Sequence, residues 1–311
     1  MEAVAVVLDQ PKRISVRKLA LNPVGADDVV IDVDWSGIST GTEKLLWSGR
    51  MPSFPGMGYP LVPGYESVGR IVEAGANAAY RIGETVFIPG ATCFKDARGL
   101  FGGAAGRLVA PSPRAIAIPE RLGARGVLIA LAATAYHALD GGAPPELIIG
   151  HGVLGRLLAR LTIATGAPAP TVWEVDPRRR GGGAGYTVMD PEDDDRSDYA
   201  TIYDASGAGQ LLDTFVTRLL KGGEVVLAGF YEGQLSFSFV PAFMREMRLR
   251  VAAEWRPEDL RAVNAMLRLG NLSLDDLITH QQTPDSAATA YATAFTDNAC
   301  LKMVLDWRHC A

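Results

Sequence analysis

A short apolar strand that leads into a glycine-rich turn constrains this chain more than any other feature. Leu, Ile and Ile precede the pattern G-x-G-x-x-G, whose glycines are Gly150, Gly152 and Gly155. The first glycine permits a tight turn, the second lets backbone approach a pyrophosphate, and the third lets the next helix pack closely. That helix opens at the third glycine, so its N-terminus faces the phosphates, and the turn residues Val153 and Leu154 are further candidates for cofactor contacts. The turn predicts a dinucleotide-binding domain.

A carboxylate about twenty residues beyond such a turn typically binds the adenosine ribose. Glu174 and Asp176 both follow the next apolar run, and the choice between them stays open. An acid there repels a 2′-phosphate, which favours NAD over NADP, whereas the arginines at 178–180 can receive that phosphate. The alternative is that both acids simply end a strand in solvent. Further cofactor contacts are predicted where later strands end in small residues, at Ser206, Gly207 and Gly229.

The spacing of apolar runs predicts a strand-rich first part and an α/β second part. The predicted α/β strands are 147–150, 171–175, 187–189, 200–204, 224–229 and 249–253, with helices at 156–165, 211–220 and 257–269. Six such strands are typical of a doubly wound parallel sheet. The Gly-, Arg- and Asp-rich residues 177–198 are predicted to be mostly surface loop.

Composition narrows the function classes. A formal net charge of -5 argues against a nucleic-acid partner, and three scattered cysteines indicate a reducing, cytoplasmic setting without a disulfide framework. The most apolar stretches are short or interrupted by arginine, so no membrane span is predicted.

Several segments together resemble the medium-chain dehydrogenase/reductase superfamily. They are residues 64–72, 82–86, 102–106 and the glycine turn. The resemblance implies a GroES-like β-rich domain plus a Rossmann doubly wound parallel sheet. It divides the chain into residues 1–120, completed by 271–311, and a dinucleotide-binding domain of residues 121–270.

Zinc-dependent members of that superfamily place Cys, His and Cys around a catalytic metal. Ser39, Tyr65 and Ala130 stand at the matching positions here, and only the neighbouring Glu66 keeps its type. Hydroxyl and methyl groups are not the ligands that zinc prefers. The resemblance therefore implies an enzyme without a metal.

A longer resemblance points to one family. Residues 35–52, 54–66 and 243–246 are similar to the 3-hydroxyethyl bacteriochlorophyllide a dehydrogenases. The resemblance implies oxidation of a hydroxyethyl group of a magnesium tetrapyrrole to acetyl, with hydride transfer to NAD. Two alternatives remain: a zinc-free NADPH quinone or enone reductase, and a non-catalytic protein that binds pigment or dinucleotide.

Without a metal, side chains of the first domain must polarise or deprotonate the alcohol. We expect Tyr65 to do so, with Lys44 or Glu43 as its partner, because a nearby lysine would lower a tyrosine pKa. The catalytic candidates are Ser39, Thr40, Glu43, Lys44, Tyr65 and Glu66, with Thr42 and His137 as further possibilities. The alternative is that Tyr65 fills the volume of a lost metal site and Lys44 is a surface charge.

A flat, apolar tetrapyrrole needs an apolar cleft with cationic groups at its rim. An apolar stretch interrupted by Pro and Gly supplies the candidates Trp47, Arg50, Met51, Phe54 and Tyr59. The same side chains are equally typical of a loop anchored in the core. Strands predicted at 235–239 and 249–253 would lie near the sheet edge, so we expect a homodimer that covers it.

Overall fold

The structure is a computed structural model that describes residues 1–53, 55–99, 101–231, 233–252 and 254–310. The strands are β1 Glu2–Gln10, β2 Arg13–Ala20, β3 Asp28–Ile38, β4 Ser67–Ala74, β5 Thr85–Ile88, β6 Arg107–Pro111, β7 Ile116–Ala117, β8 Leu147–Ile149, β9 Thr171–Trp173, β10 Thr187–Met189, β11 Tyr199–Asp204, β12 Leu219–Leu227, β13 Arg248–Val251, β14 His280–Gln282 and β15 Met303–Asp306. The helices are α1 Thr42–Ser48, α2 Ile129–Leu139, α3 Val153–Ala164, α4 Leu212–Arg218, α5 Phe239–Met244, α6 Pro257–Leu269 and α7 Ala287–Thr296. The chain divides into two compact units, Met1–Ala130 with Asp275–Ala311, and Leu131–Leu274.

The first unit is built on antiparallel strands. Its larger sheet has the order β14-β15-β3-β4-β5-β7, with β6 pairing β3, and β1 and β2 form a separate hairpin. The long strand β3 buries Val29, Val30 and Ile31 completely. Strand β15 pairs antiparallel with β3, so the last residues of the chain complete a sheet begun near its start. The predicted β-rich first part is confirmed.

The second unit carries a six-stranded parallel sheet in the order β10-β9-β8-β11-β12-β13. Its central strand β8 is entirely apolar and buried, with Ile148 between Val172 and Tyr203. Strands buried on both faces are expected to be apolar throughout. Helix α6 begins with Pro257 in its first turn and ends at Gly270, whose φ of 77° is left-handed. The predicted doubly wound sheet is confirmed.

Two local predictions are wrong. Residues 235–238 lie outside any strand, and Phe239 begins helix α5. The backbone amide of Ser238 donates to Asp213 Oδ1 at 2.7 Å, so it is not available to a sheet. The predicted helix 211–220 stops at Arg218, because Leu219 already belongs to β12 and pairs with Tyr199.

Among the residues that the structure describes, one helical stretch is long and apolar enough to cross a membrane. The stretch is Glu120–Leu139, and 56% of its most apolar 18 residues are buried inside the protein. Core helices of the same length and composition pass this test, so the stretch is weak evidence for a span.

Candidate functional site

The glycine turn has the geometry that a bound pyrophosphate requires. Gly150 has a φ of 93°, which favours glycine. A Cβ at Gly155 would lie 1.8 Å from the Gly150 carbonyl oxygen, whereas a Cβ at Gly152 would meet no atom within 4 Å. Helix α3 starts at Val153 without a side-chain cap, so its first amides face open space beside Gly152. These residues fit a dinucleotide.

The residues after β11 lie against this turn, and the residues after β12 lie against those that follow β11. A Cβ on Gly150 would be 3.2 Å from the Ser206 Cα, and a Cβ on Gly229 would be 3.0 Å from the Gly207 nitrogen. Asp204, fully buried, accepts hydrogen bonds from the Ser206 amide at 2.8 Å and its hydroxyl at 2.6 Å. The structure therefore brings together Gly150, Ser206, Gly207 and Gly229.

Of the two acids after β9, Glu174 reaches the glycine turn. Its Oε2 accepts the His151 amide at 3.0 Å and its Oε1 accepts the Asp176 amide at 2.9 Å. The Asp176 side chain turns toward Arg178 and binds its Nη2 at 2.7 Å. Hydrogen bonds from Arg178 lower the pKa of Asp176 to about 2. Of the two acids, Glu174 is thus the one whose carboxylate lies at the glycine turn.

In the first unit a cluster of hydroxyl and carboxyl groups surrounds Tyr65. Its hydroxyl donates to Ser39 Oγ at 2.6 Å, and the Thr42 side chain also hydrogen-bonds to it. Burial, reinforced by the charge of Glu66, raises the pKa of Tyr65. The expected lowering by a lysine is therefore not found, and Tyr65 keeps its proton at neutral pH.

Glu43 is the carboxyl group of this cluster that contacts both Ser39 and Tyr291. It is fully buried on α1, accepts the Ser39 amide at 3.1 Å with Oε1, and accepts the Tyr291 hydroxyl at 2.9 Å with Oε2. Burial raises the pKa of Glu43 from 4.5 to about 7. A carboxyl group with this pKa can exchange a proton at physiological pH.

Lys302 and Glu66 form an ion pair in the interior of the first unit. Both side chains are at most 1% exposed, and Lys302 Nζ contacts Glu66 Oε2. A Cβ on Gly37 would lie 2.3 Å from Glu66 Oε2 and 2.9 Å from Lys302 Cε, so only glycine leaves room for the pair. Burial raises the pKa of Glu66, and Lys302 opposes that rise. Among the described residues, Glu66 Oε1 has no hydrogen-bond partner.

The donor set around Tyr65 does not fit a catalytic zinc ion. The two polar positions hold hydroxyls that are bonded to each other, Ala130 offers only a methyl group, and Glu66 is paired with an ammonium group. Zinc prefers thiolate, imidazole or free carboxylate. Within the described ranges no group of three or more His, Cys, Asp or Glu side chains could hold a metal ion.

The remaining catalytic candidates lie apart from these contacts. Thr40 is exposed and Lys44 is half-buried. His137 belongs to the second unit, where its Nδ1 lies 2.9 Å from Asp259 Oδ2 at the first turn of α6. His137 thus connects two helices, and a structural role accounts for its contacts.

Several residues of the loop predicted to bind the substrate pack into the hydrophobic core instead. Met51, 8% exposed, belongs to an apolar cluster with Leu45 and Leu46. The Trp47 ring packs on Phe295 at 5.5 Å, and the Tyr59 hydroxyl donates to the Leu46 carbonyl. Arg50 is exposed, whereas Phe54 lies outside the described residues.

Sequence reasoning missed Tyr291 and Lys302. Both come from the last part of the chain, more than two hundred residues from the partners they touch. A signal was available for one of them, because Lys302 is a lone charge between Leu301 and the buried strand β15. A lysine in such a position is rarely buried without a partner.

Comparison with known proteins decides the family. A 2-desacetyl-2-hydroxyethyl bacteriochlorophyllide A dehydrogenase from Rhodobacter capsulatus is 58% identical over 311 residues, covering 99% of each chain. One of the same name from Cereibacter sphaeroides is 56% identical over 315 residues, again covering 99% of each chain. This chain belongs to that family. The alcohol dehydrogenase GroES-like domain also matches residues 25–120.

Solved structures agree on the fold. A short chain alcohol dehydrogenase from Escherichia coli CFT073, complexed with NADH, has a TM-score of 0.84 at 20% identity and covers 98% of this chain and 99% of its own. A zinc-binding dehydrogenase from Sinorhizobium meliloti, bound to NADP, has a TM-score of 0.83 at 21% identity with the same coverage. The predicted superfamily and family are confirmed, and with them the dehydrogenase class and a nicotinamide cofactor.

Proposed function

We propose that this bacteriochlorophyllide dehydrogenase oxidises the 3-hydroxyethyl group of a bacteriochlorophyllide precursor to 3-acetyl, with NAD as the hydride acceptor and without zinc. The observation that carries the proposal is the hydrogen bond between Tyr65 and Ser39. It stands where zinc-dependent members of the superfamily hold their metal. The substrate alcohol would then contact two hydroxyl groups instead of a zinc ion that acts as a Lewis acid.

The proposed chemistry moves a proton through the cluster around Tyr65. Bound NAD would supply the acceptor for the hydride that leaves the alcohol carbon. The alcohol proton passes to the Tyr65 oxygen while the tyrosine proton passes to Ser39, so neither hydroxyl needs to ionise beforehand. Ser39 in turn releases its own hydroxyl proton, and we assign the uptake of that proton to Glu43, whose Oε1 accepts the Ser39 amide and whose pKa is raised to about 7.

In this mechanism the positive charge of Lys302 offsets the negative charge of Glu66 near the reacting oxygen. The carboxylates of Glu66 and Glu43 both raise the pKa of Tyr65, and negative charge that develops on the alcohol oxygen would be repelled by them. Lys302 offsets one of these charges. Because both partners are buried, water screens the pair little.

The choice of NAD over NADP is supported at the adenosine end of the turn. Glu174 carries its carboxylate to the glycine turn, where it would repel a 2′-phosphate. The arginines that follow are engaged, since Arg178 binds Asp176 and Arg180 binds Asp190. A 2′-phosphate would have to compete with these carboxylates.

The tetrapyrrole substrate is proposed from the family and the exposed edge of the loop after α1. Arg50 is the exposed cation there, hydrogen-bonded to Ser48 through Nε at 3.2 Å. It would bind a carboxylate of the pigment, while the half-buried faces of Trp47 and Tyr59 contact the macrocycle. Met51 would support the loop from below.

We also propose a homodimer, formed through the last strand of the parallel sheet. Strand β13 ends the strand order. Phe239, Phe243 and Met244 on the adjoining α5 are 70%, 64% and 66% exposed. Exposed apolar patches of this kind mark association surfaces. The Phe243→Asp variant would run as a monomer in light scattering, whereas an unchanged mass would contradict the proposed surface.

A cytoplasmic location is part of the proposal. None of Cys93, Cys300 and Cys310 forms a disulfide, which suits a reducing compartment.

The experiment uses purified protein, analysed for metals and treated with a chelator, together with the hydroxyethyl pigment and NAD or NADP. Reduced cofactor and the red shift of the pigment are followed in the same cuvette. Turnover with NAD in metal-free protein supports the proposal, and restoration only by added zinc contradicts its mechanism. Activity only as an NADPH-dependent quinone or enone reduction favours the reductase. Saturable pigment binding without turnover favours a carrier.

A further inference from the structure

The loop that follows the ribose acid is held from inside the protein. It comprises residues 177–186, here called the arginine loop, and it joins β9 to β10. Composition alone predicts a solvated surface loop for it. Its backbone carbonyls instead point at a buried arginine.

Arg156, 5% exposed in the first turn of α3, is that arginine. Its Nε donates to the His151 carbonyl at 3.1 Å, and its Nη2 donates to the carbonyls of Arg179 at 3.0 Å and Gly181 at 2.9 Å. Its Nη1 donates to the Gly182 carbonyl at 3.3 Å. Four carbonyls around one guanidinium group match its fixed fan of donors, which no lysine reproduces.

His151, inside the glycine turn, adds a second anchor. Its side chain is buried, with Nδ1 2.6 Å from the Arg179 carbonyl and Nε2 2.9 Å from the Tyr186 hydroxyl. A carbonyl only accepts, so Nδ1 carries the hydrogen and Nε2 accepts the tyrosine proton. Burial lowers the pKa of His151 to about 4, and the neutral ring keeps this tautomer at physiological pH.

The loop is shaped for these anchors. Gly182 has a φ of 80°, and a Cβ there would lie 2.5 Å from Arg156 Nη1. The loop also places its own arginines: Arg178 Nη2 lies 2.7 Å from Asp176 Oδ2, and Arg180 Nε donates to the Glu174 carbonyl at 2.8 Å. The same contacts that order the loop keep its cations on protein acceptors.

We propose that Arg156, His151 and Tyr186 are positioning residues that hold the arginine loop against the glycine turn, and that the ordered loop makes the site discriminate against a 2′-phosphate. This inference rests on the proposed use of NAD. The loop begins three residues after Glu174, where the ribose hydroxyls are expected. Released from Arg156, its arginines could turn from their carboxylates to a phosphate, so NADP would gain as NAD loses.

The test compares the full chain with Arg156→Met, Arg156→Lys and Gly182→Ala. Dissociation constants for NADH and NADPH are measured by fluorescence titration, and amide hydrogen exchange is followed across residues 177–186. Arg156→Met is expected to weaken NADH about tenfold, the scale of one lost charged hydrogen bond. The preference for NADH over NADPH falls by a larger factor, because NADPH gains affinity, and exchange accelerates in the loop alone.

Arg156→Lys retains at most part of the four contacts and should fall between wild type and Arg156→Met. Gly182→Ala disturbs the same contacts from the other side and should reproduce the loss of preference. The matched control is Arg261→Met, which removes an exposed arginine of α6 and should leave every readout unchanged.

The outcomes separate this inference from the proposed function. Faster loop exchange with an unchanged NADH/NADPH ratio overturns the inference, as does unchanged exchange in Arg156→Met. Wild-type protein that binds NADH with the expected preference but turns over no pigment overturns the proposed function and leaves the inference standing. Wild-type protein that prefers NADPH overturns both.

Discussion

The two polar sites of this molecule are built in opposite ways. The glycine turn uses consecutive residues and presents backbone amides, with Gly155 packed against Gly150 and Gly152 facing open space. The cluster around Tyr65 uses side chains from four separate segments, which contribute Ser39, Tyr65, Tyr291 and Lys302. A site built from closely packed backbone, such as Gly155 on Gly150, has no room for a Cβ atom. A buried side-chain site depends on balanced charge.

The largest expected effect is at the third glycine. Gly155→Ala places a Cβ 1.8 Å from the Gly150 carbonyl oxygen, and backbone at that distance has to move. We expect loss of dinucleotide binding together with several kcal/mol of stability, since overpacking against backbone is costly. Calorimetry and NADH titration measure both.

Gly152→Ala is the matched control, because its Cβ meets no atom within 4 Å and its φ of -73° suits alanine. It should keep the wild-type unfolding temperature and lose NADH affinity only. Equal stability of the two alanine variants would contradict the close packing of Gly155 on Gly150.

The Tyr65 cluster should respond to charge instead. Lys302→Met leaves the fully buried Glu66 without its partner. Breaking a buried ion pair on one side costs about 3–5 kcal/mol. We expect the free energy of unfolding in urea to fall by that amount.

The double variant Lys302→Met with Glu66→Gln tests whether charge is the cause. It removes both charges at nearly constant volume, and such replacements are often neutral, so most of the lost stability should return. A double variant as unstable as Lys302→Met would show that packing near Gly37, rather than charge, carries the effect.

The same difference between the two sites explains which features could be predicted from the sequence and which could not. The glycine turn, the six parallel strands and the GroES-like resemblance all follow local patterns, and the strands and the GroES-like domain are confirmed. Lys302 and Tyr291 could not be assigned, because their partners lie far away in the chain. The strand predicted at 235–239 failed because Asp213, on another element, binds the Ser238 amide. Local sequence patterns determine the helices and strands, whereas contacts between residues distant in the chain determine which polar side chains come together.

A further prediction concerns the pH dependence of stability. The pKa of Glu43 is raised from 4.5 to about 7, so between these values the folded state holds a proton that the unfolded state releases. The raised pKa of Glu43 therefore adds to the free energy of unfolding at low pH. This stabilisation is fully present below pH 4.5 and is lost as the pH rises through 7, and it amounts to on the order of 3 kcal/mol. In Glu43→Gln the urea-derived stability should no longer show this decline.

Glutamine can keep both contacts of Glu43, because its oxygen accepts the Ser39 amide and its NH₂ group donates to the Tyr291 oxygen. The exposed Glu73→Gln is the control and should follow the wild-type curve. The prediction fails if Glu43→Gln and wild type lose stability in parallel from pH 5 to 8.

Tyr65→Phe is the smallest structural change and should affect catalysis far more than stability. Tyr65→Phe keeps the ring that packs on Phe101 at 5.3 Å and removes only the hydroxyl that donates to Ser39. Stability should fall by about 1 kcal/mol, as for one neutral hydrogen bond. The kcat for pigment oxidation should fall about 100-fold or more if this hydroxyl relays the proton. Tyr203→Phe, which removes a hydroxyl bonded to the Ala143 carbonyl at 2.8 Å, should lose similar stability and keep its kcat. If both variants keep their kcat, Tyr65 fills the volume of a lost metal site and the proton leaves by another route.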